Sequence, residues 1–141
     1  MNKFLFLDFD GVLHPATLND NSELFSKNKL LEQTFLNFHC NIVISSSWRF
    51  HHSFDSLKNK LPAEVRRFIV GVTGDPYIGQ YSRFNEIIEY LKEIKSISAD
   101  WISLDDSYYE FPPNCPNLIR CNPNTGMSLN ESILLKNWLE K

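Results

Sequence analysis

A run of four apolar residues that ends at two aspartates constrains this chain most. Phe4 to Leu7 is apolar at every position, and the sequence Asp8-Phe9-Asp10-Gly11 follows directly. A strand with one face in water alternates apolar and polar residues, whereas a strand buried on both faces is apolar throughout. The run therefore predicts a central strand of a parallel sheet, with two carboxylates just beyond its carboxyl end.

Four later segments have the short, apolar composition of further strands, and helical patterns separate them. The predicted strands after the first are residues 41–44, 68–72, 101–104 and 118–121. Strands that alternate with helices at short spacing predict right-handed crossovers and a sheet covered on both faces. We therefore expect an α/β fold with a five-stranded, mainly parallel sheet. The chain has 141 residues, 43% of them hydrophobic, which predicts a single domain over 1–141.

Two helical patterns carry predictions about burial. The segment from Phe84 to Ile94 has apolar residues at helical spacing, and Glu86 falls on its opposite, polar side. A final helix begins at a capping box that starts at Ser128. Its predicted buried stripe consists of Ile133, Leu134, Trp138 and Leu139.

Charge, cysteine content and the amino terminus exclude several classes of protein. A formal charge of −3 gives no global field that would attract polyanions, so any phosphate recognition has to be local. The three cysteines are odd in number and lack CxxC spacing, which favours a reducing, intracellular compartment. The first apolar run is too short for a signal peptide or a membrane span. We expect a soluble, cytoplasmic protein without a membrane partner.

Polar clusters follow three of the predicted strands. Asp8 and Asp10 follow the first, Ser45 to Ser47 the second, and Asp105 with Asp106 the fourth. Ligands of open parallel sheets bind at the carboxyl ends of the strands, so these clusters should meet in one crevice. Four carboxylates in one crevice repel each other unless a cation lies among them. Hard oxygen ligands without histidine or cysteine predict Mg²⁺, which commonly binds together with substrate phosphate.

The spacing of the first two aspartates fits phosphoryl transfer. One aspartate can attack phosphorus and form an aspartyl-phosphate, while the second, two residues on, protonates the leaving oxygen. Gly11 permits the sharp turn that brings the second carboxylate round. Serine hydroxyls and a cationic side chain are suitable partners for the phosphoryl oxygens.

Several motifs together resemble the haloacid dehalogenase-like (HAD) hydrolase superfamily, which implies a Rossmann-like fold. The sequence FLDFDGVL at 6–13 resembles its first signature, residues 42–46 its second, and residues 101–106 its fourth. More narrowly, the segments 45–49, 83–87 and 104–106 are similar to a small capless subgroup. That subgroup includes the phosphatase-like domain of the Swiss Army Knife RNA repair proteins.

The resemblance implies a role for each acidic residue. Asp8 would be nucleophile and metal ligand, and Asp10 would be general acid and base while its backbone carbonyl contacts the metal. Asp105 would bind Mg²⁺ directly, with Asp106 nearby.

The phosphate-binding residues are less uniquely defined. Ser46 would hold the phosphoryl group, although a slip of one residue in the strand would favour Ser45. The family usually has a lysine at the start of the helix before the fourth strand, and Arg83 stands there instead. An arginine can stabilise the transferring phosphoryl group but is not interchangeable with lysine. There is also no room for a cap domain, so the crevice should be open.

The resulting hypothesis is a Mg²⁺-dependent phosphatase that acts on a phosphorylated small molecule or a nucleic-acid end. A nucleic-acid end-processing phosphatase and a phosphate-binding module without turnover are the alternatives, and the oligomeric state stays open. Arg49 is interpreted as a phosphate contact or an ion pair that orients an acid, and Trp48 as a core residue. The histidines His14, His51 and His52 are interpreted as surface or loop residues. Four tyrosines flank the predicted crevice and could stack a base: Tyr77, Tyr81, Tyr108 and Tyr109.

Overall fold

The computed structural model, which describes residues 2–141, contains a five-stranded sheet in the order β3-β2-β1-β4-β5. Each of its four strand pairings is parallel. The strands are β1 (Lys3–Leu7), β2 (Asn41–Ile44), β3 (Ile69–Val72), β4 (Asp100–Asp105) and β5 (Leu118–Arg120). The predicted α/β class and parallel sheet are confirmed, and the first apolar run is the central strand.

Helices cover both faces of the sheet. They are α1 (Asn28–Thr34), α2 (Phe54–Asn59), α3 (Ala63–Arg66), α4 (Ser82–Glu93) and α5 (Leu129–Glu140). The core on one face includes residues of α1, α2, α3 and α5, and the core on the other face includes residues of α4. None of the helices within residues 2–141 combines the length and the apolar character needed to cross a lipid bilayer.

The central strand supplies both cores because its side chains alternate between the faces of the sheet. Leu5 and Leu7 belong to the core under α1 and α5, whereas Phe4 and Phe6 belong to the core under α4. Burial of each such side chain contributes about 1.5–3 kcal/mol to stability. The apolar run is therefore continuous because each of its residues packs in one core or the other.

The buried stripe of α5 differs from the prediction. Leu135 and Trp138 are buried, whereas Ile133 and Leu134 are 49% and 46% exposed. Successive residues of a helix are about 100° apart, so the face that buries Leu135 and Trp138 turns the two preceding residues outward. The prediction for Ile133 and Leu134 is therefore wrong.

Candidate active site

The carboxyl ends of the three central strands meet at one level. Leu7 pairs with Ile44 of β2 and with Leu104 of β4. The next backbone groups continue these ladders, because the Asp8 N–H donates to the Leu104 carbonyl at 3.1 Å and the Ser45 N–H to the Leu7 carbonyl at 2.8 Å. This register places Asp8, Ser45 and the end of β4 side by side.

Three carboxylates form a compact acidic cluster. Asp8, Asp105 and Asp106 each contribute an oxygen that lies within 4.8 Å of the other two. Asp8 and Asp105 are buried, and Asp106 is partly buried. Asp106 also lies against Gly11, where a Cβ would clash with the Asp106 carboxylate. Gly11 has a positive φ of 77°, so the predicted sharp turn is confirmed.

The acidic cluster is short of positive charge. The pKa of Asp8 lies well above its ordinary value because the carboxyl is buried and because Asp105 is close, and Arg83 opposes this shift only in part. Burial also raises the pKa of Asp105 and that of Asp106. A donor set made only of carboxylate oxygens that resist ionisation fits a hard divalent cation such as Mg²⁺.

Arg83 supplies positive charge from the first turn of α4. Its Nη1 lies 2.9 Å from Asp105 Oδ2 and 3.4 Å from Asp8 Oδ1, and it donates to the Ser45 carbonyl at 2.5 Å. Burial by itself would lower the pKa of Arg83, but the charges of Asp105 and Asp8 raise it above its ordinary value. The arginine at the family's lysine position therefore contacts the predicted nucleophile.

Glu86 was predicted on the polar side of α4, and the structure instead buries it. Its Oε1 lies 3.1 Å from Arg49 Nη2 and 3.6 Å from Arg83 Nε, and its Oε2 accepts the Tyr77 N–H at 3.1 Å. Arg49 also donates to the Ser46 carbonyl at 3.0 Å. Of the two interpretations of Arg49, the structure therefore shows the ion pair. The spacing of three residues between Arg83 and Glu86 was the available signal, since it places both on one helix face.

The two candidate phosphate-binding serines differ in their surroundings. Ser46 precedes a short 3₁₀ helix (Ser47–Phe50), and its hydroxyl oxygen accepts the Trp48 N–H at 3.2 Å. Its own proton is then still available to a phosphoryl oxygen. The Ser45 hydroxyl is buried and makes no hydrogen bond to any residue of 2–141. Both serines are therefore kept as candidates.

The Asp10 carboxylate lies outside the three-carboxylate cluster. Its side chain is 48% exposed, and its Oδ1 lies 2.8 Å from His14 Nε2 and 3.0 Å from Trp48 Nε1. Asp10 thus has a hydrogen-bonded, half-exposed carboxylate beside a buried, charged cluster. The predicted contact of its backbone carbonyl with a metal stays a prediction.

His14 and Trp48 are site residues that the sequence did not reveal as such. His14, predicted at the surface or in a loop, is only 1% exposed, because Phe25 and Trp48 pack against its ring at centroid distances of 5.0 and 5.9 Å. Trp48 packs against the core as predicted but also donates to Asp10. The spacing of four residues between Asp10 and His14 was the only hint in the sequence.

Comparison with known families agrees with this geometry. The family model described as the HAD domain in Swiss Army Knife RNA repair proteins matches residues 4–131. The chain belongs to this family. The matched range runs from β1 into α5 and includes every residue of the site described above. No curated protein and no solved structure matches the chain.

Membership of this HAD family indicates a hydrolase-type function, which the acidic cluster supports. The nucleophile, general acid and metal ligands that the resemblance implies lie at the carboxyl edge of the sheet.

Proposed function

We propose that this HAD domain is a Mg²⁺-dependent phosphatase that works through an aspartyl-phosphate on Asp8. The proposal depends on one observation above all: Asp8 lies in the acidic cluster and contacts Arg83. Asp8, Asp105, Asp106 and the Asp10 backbone carbonyl would hold the metal. When bound, Mg²⁺ supplies positive charge that neutralises the carboxylates and the phosphoryl oxygens.

The reaction proceeds in two halves. First, an Asp8 carboxylate oxygen attacks phosphorus, the bond to the leaving oxygen breaks, and Asp10 gives that oxygen a proton. Then Asp10 takes a proton from water, the water oxygen attacks the phosphorus, and the bond to Asp8 breaks. Inorganic phosphate leaves, and both aspartates return to their starting state. Arg83 and the hydroxyl of Ser46 or Ser45 stabilise the charge on the phosphoryl group.

Hydrolysis of p-nitrophenyl phosphate with and without Mg²⁺ tests the proposal. Asp8→Asn keeps the shape of the side chain but removes the nucleophile, so we expect turnover to fall on the order of 10⁴-fold or more. Asp55→Asn is the matched control, because the Asp55 side chain is 89% exposed on α2. Wild type and Asp55→Asn should show equal, metal-dependent turnover.

Two results would contradict the proposal. Retained turnover in Asp8→Asn would show that another group attacks phosphorus. Phosphate binding that depends on Mg²⁺, in a folded wild type without turnover of any phosphate ester, would indicate the phosphate-binding module instead.

A specific pocket favours a nucleic-acid end as the substrate. A pocket of about 580 Å³ lies between the start of α4 and the loop after β4, the two segments that carry Arg83 and Asp106. Its lining includes Tyr81, Tyr108, Tyr109, Pro112 and Pro113. Aromatic side chains stack nucleobases at about 1–3 kcal/mol per base. The family description also names RNA repair proteins. Tyr77, which was predicted with the other tyrosines, lines a different pocket.

A comparison of kcat/KM for a phosphorylated oligonucleotide and for p-nitrophenyl phosphate tests this second candidate. We expect the oligonucleotide to be preferred and Tyr108→Ala to reduce that preference by about 1–3 kcal/mol. Tyr77→Ala, outside the pocket, is the control and should keep it. Equal kcat/KM for both substrates would exclude the nucleic-acid end.

A further inference from the structure

Ring nitrogens from two different segments lie within hydrogen-bond distance of the same oxygen of Asp10. His14 lies four residues further along the turn after β1, and Trp48 lies in the 3₁₀ helix after β2. Their ring nitrogens lie 2.8 Å and 3.0 Å from Asp10 Oδ1. Both of these contacts are on Oδ1 and neither is on Oδ2. The two oxygens of one carboxylate are therefore in different environments.

The hydrogen bond at His14 Nδ1 determines which ring nitrogen carries the proton. The Phe25 backbone N–H donates to His14 Nδ1 at 3.2 Å. A backbone N–H can only donate, so Nδ1 has a free lone pair and the imidazole proton lies on Nε2. His14 Nε2 is consequently a donor to Asp10 Oδ1, as the indole Nε1 of Trp48 necessarily is.

Aromatic packing holds both donors in place. The Trp48 ring lies 5.8 Å from Phe9, 5.3 Å from Phe25 and 5.9 Å from His14 between centroids. Phe9 and Phe25 are themselves 5.3 Å apart, so four rings from three segments pack together. His52 stacks on Trp48 at 5.0 Å. Neither donor can turn away from Asp10 without disturbing this packing.

We propose that His14 and Trp48 are positioning residues for the general acid. This inference rests on the proposed function, in which Asp10 protonates the leaving oxygen. With two N–H donors on Oδ1, that oxygen serves as an acceptor, and the transferable proton lies on Oδ2. The half-exposed carboxylate then presents one defined O–H to the substrate.

The proton path follows from this arrangement. As the bond between phosphorus and the leaving oxygen breaks, the proton on Asp10 Oδ2 moves to that oxygen and Asp10 becomes a carboxylate. In the second half, Oδ2 takes a proton from the attacking water. The hydrogen bonds from His14 and Trp48 remain on Oδ1 throughout, so neither ring gains or loses a proton.

Leaving groups of different basicity distinguish this role from a structural one. An alkoxide leaves poorly without a proton, whereas p-nitrophenolate leaves readily without one. We expect Trp48→Phe, which keeps an aromatic ring but lacks the N–H, to lower kcat/KM for an alkyl phosphate about 10- to 100-fold, which is part of the 10²- to 10⁴-fold contribution of general acid catalysis. Its kcat/KM for p-nitrophenyl phosphate, which includes only the steps up to release of the leaving group, should change little.

His14 variants and a matched tryptophan complete the experiment. His14→Ala should reproduce the selective loss on the alkyl phosphate, and His14→Gln, which restores an N–H donor, should recover part of it. Trp138→Phe is the control, because the Trp138 indole donates to Asp100 at 3.4 Å on a different part of the chain. That control should hydrolyse both substrates as the wild type does.

The outcomes separate the inference from the proposed function. Equal losses of kcat/KM on both substrates, or no loss on either, with an active wild type would overturn the positioning role and leave the phosphatase intact. A wild type without Mg²⁺-dependent hydrolysis of either substrate would contradict the proposed function, and the inference would fall with it. Because Trp48→Phe keeps an aromatic side chain packed against the core, a folding failure in His14→Ala does not prevent a decision.

Discussion

The two sides of the crevice use different physical means to prepare a carboxylate. On the charged side, Asp8 and Asp105 are buried and a buried cation, Arg83, lies between them. On the neutral side, Asp10 is half exposed and receives two neutral ring donors. Under the proposed function, Asp8 as nucleophile has to be ionised and fixed, whereas Asp10 as general acid has to exchange protons with substrate and water. Asp8 and Asp10 are only two residues apart in one sequence motif, yet their carboxylates lie in opposite environments.

The two sides also differ in what they contribute to the free energy of folding. Buried carboxylates are unfavourable unless charge compensates them, so the charged side depends on Arg83 and, under the proposed function, on a bound Mg²⁺. The neutral side depends on aromatic packing and on two ordinary hydrogen bonds, each worth about 0.5–1.5 kcal/mol. Substitutions on the charged side should therefore change stability, and those on the neutral side mainly catalysis.

Removal of the Arg83 charge should have the largest effect. Arg83→Met keeps much of the buried volume but leaves Asp8 and Asp105 without their cation, which should cost about 3–5 kcal/mol of unfolding free energy. Added Mg²⁺ should restore part of this loss, and phosphatase activity should fall. Urea denaturation with and without Mg²⁺ measures both effects.

Two variants make the comparison decisive. Arg83→Lys retains the charge and should be less destabilised than Arg83→Met. Trp48→Phe, on the neutral side, should lose no more than about 1.5 kcal/mol. An Arg83→Met protein as stable as Trp48→Phe would show that the two sides do not differ in the way described.

Stabilisation by Mg²⁺ should increase with pH. Burial raises the pKa of Asp105 from 3.8 to about 6, and that of Asp8 also lies well above 3.8. A carboxyl with a raised pKa holds its proton more tightly in the folded state, so its contribution to stability is present below about pH 4 and is lost as the pH rises through the folded pKa. Mg²⁺ binds the ionised carboxylates and should offset that loss.

Thermal unfolding with and without Mg²⁺ measures this effect at about pH 5 and about pH 8. At 100 times its Kd, Mg²⁺ should stabilise the protein by about 2.7 kcal/mol at the upper pH and by clearly less at the lower. An increment that does not depend on pH would mean that the acidic cluster is ionised without metal.

The smallest effect is expected where the two sides touch. Gly11 follows Asp10 and lies against Asp106, and its positive φ disfavours any side chain. Gly11→Ala should cost about 1–2 kcal/mol through this φ and should weaken Mg²⁺ binding by displacing Asp106. Gly74→Ala is the control, since a Cβ there would meet nothing within 4 Å. Equal Mg²⁺ affinity in both variants would contradict the packing of Asp106 on Gly11.

The charged side could be predicted from the sequence because the parallel sheet itself brings its acidic residues together. Each of its acids lies at or just beyond the end of a short apolar strand, and a common strand direction brings these ends to one edge. Leu7 and Leu104, paired in register, then place Asp8 beside Asp105. Arg83 could be placed because it lies in the first turn of α4, a helix with a clear apolar pattern.

The neutral side could not be predicted in the same way, because its residues lie in the connections after β1 and β2 and meet through the packing of aromatic rings. His14 and Trp48 meet only after the chain has folded back over 34 residues, and neither strand nor helix periodicity fixes their rings. Glu86 was missed for a related reason: a charged residue on a helix is exposed by default, and here two arginines and the Tyr77 backbone N–H make its burial favourable. Polar residues whose burial depends on distant partners are the ones that local patterns misplace.

Detection of the covalent intermediate tests the central claim most directly. Wild type and Asp10→Asn are mixed with p-nitrophenyl phosphate and Mg²⁺, quenched in acid, and analysed by peptide mass spectrometry. Because Asp10 takes the proton from water in the second half-reaction, the phosphoenzyme should accumulate in Asp10→Asn, with the phosphoryl group on the peptide that contains Asp8 and on Asp8 itself. Turnover that depends on Mg²⁺ without any phosphoryl group on Asp8 in either protein would contradict the account.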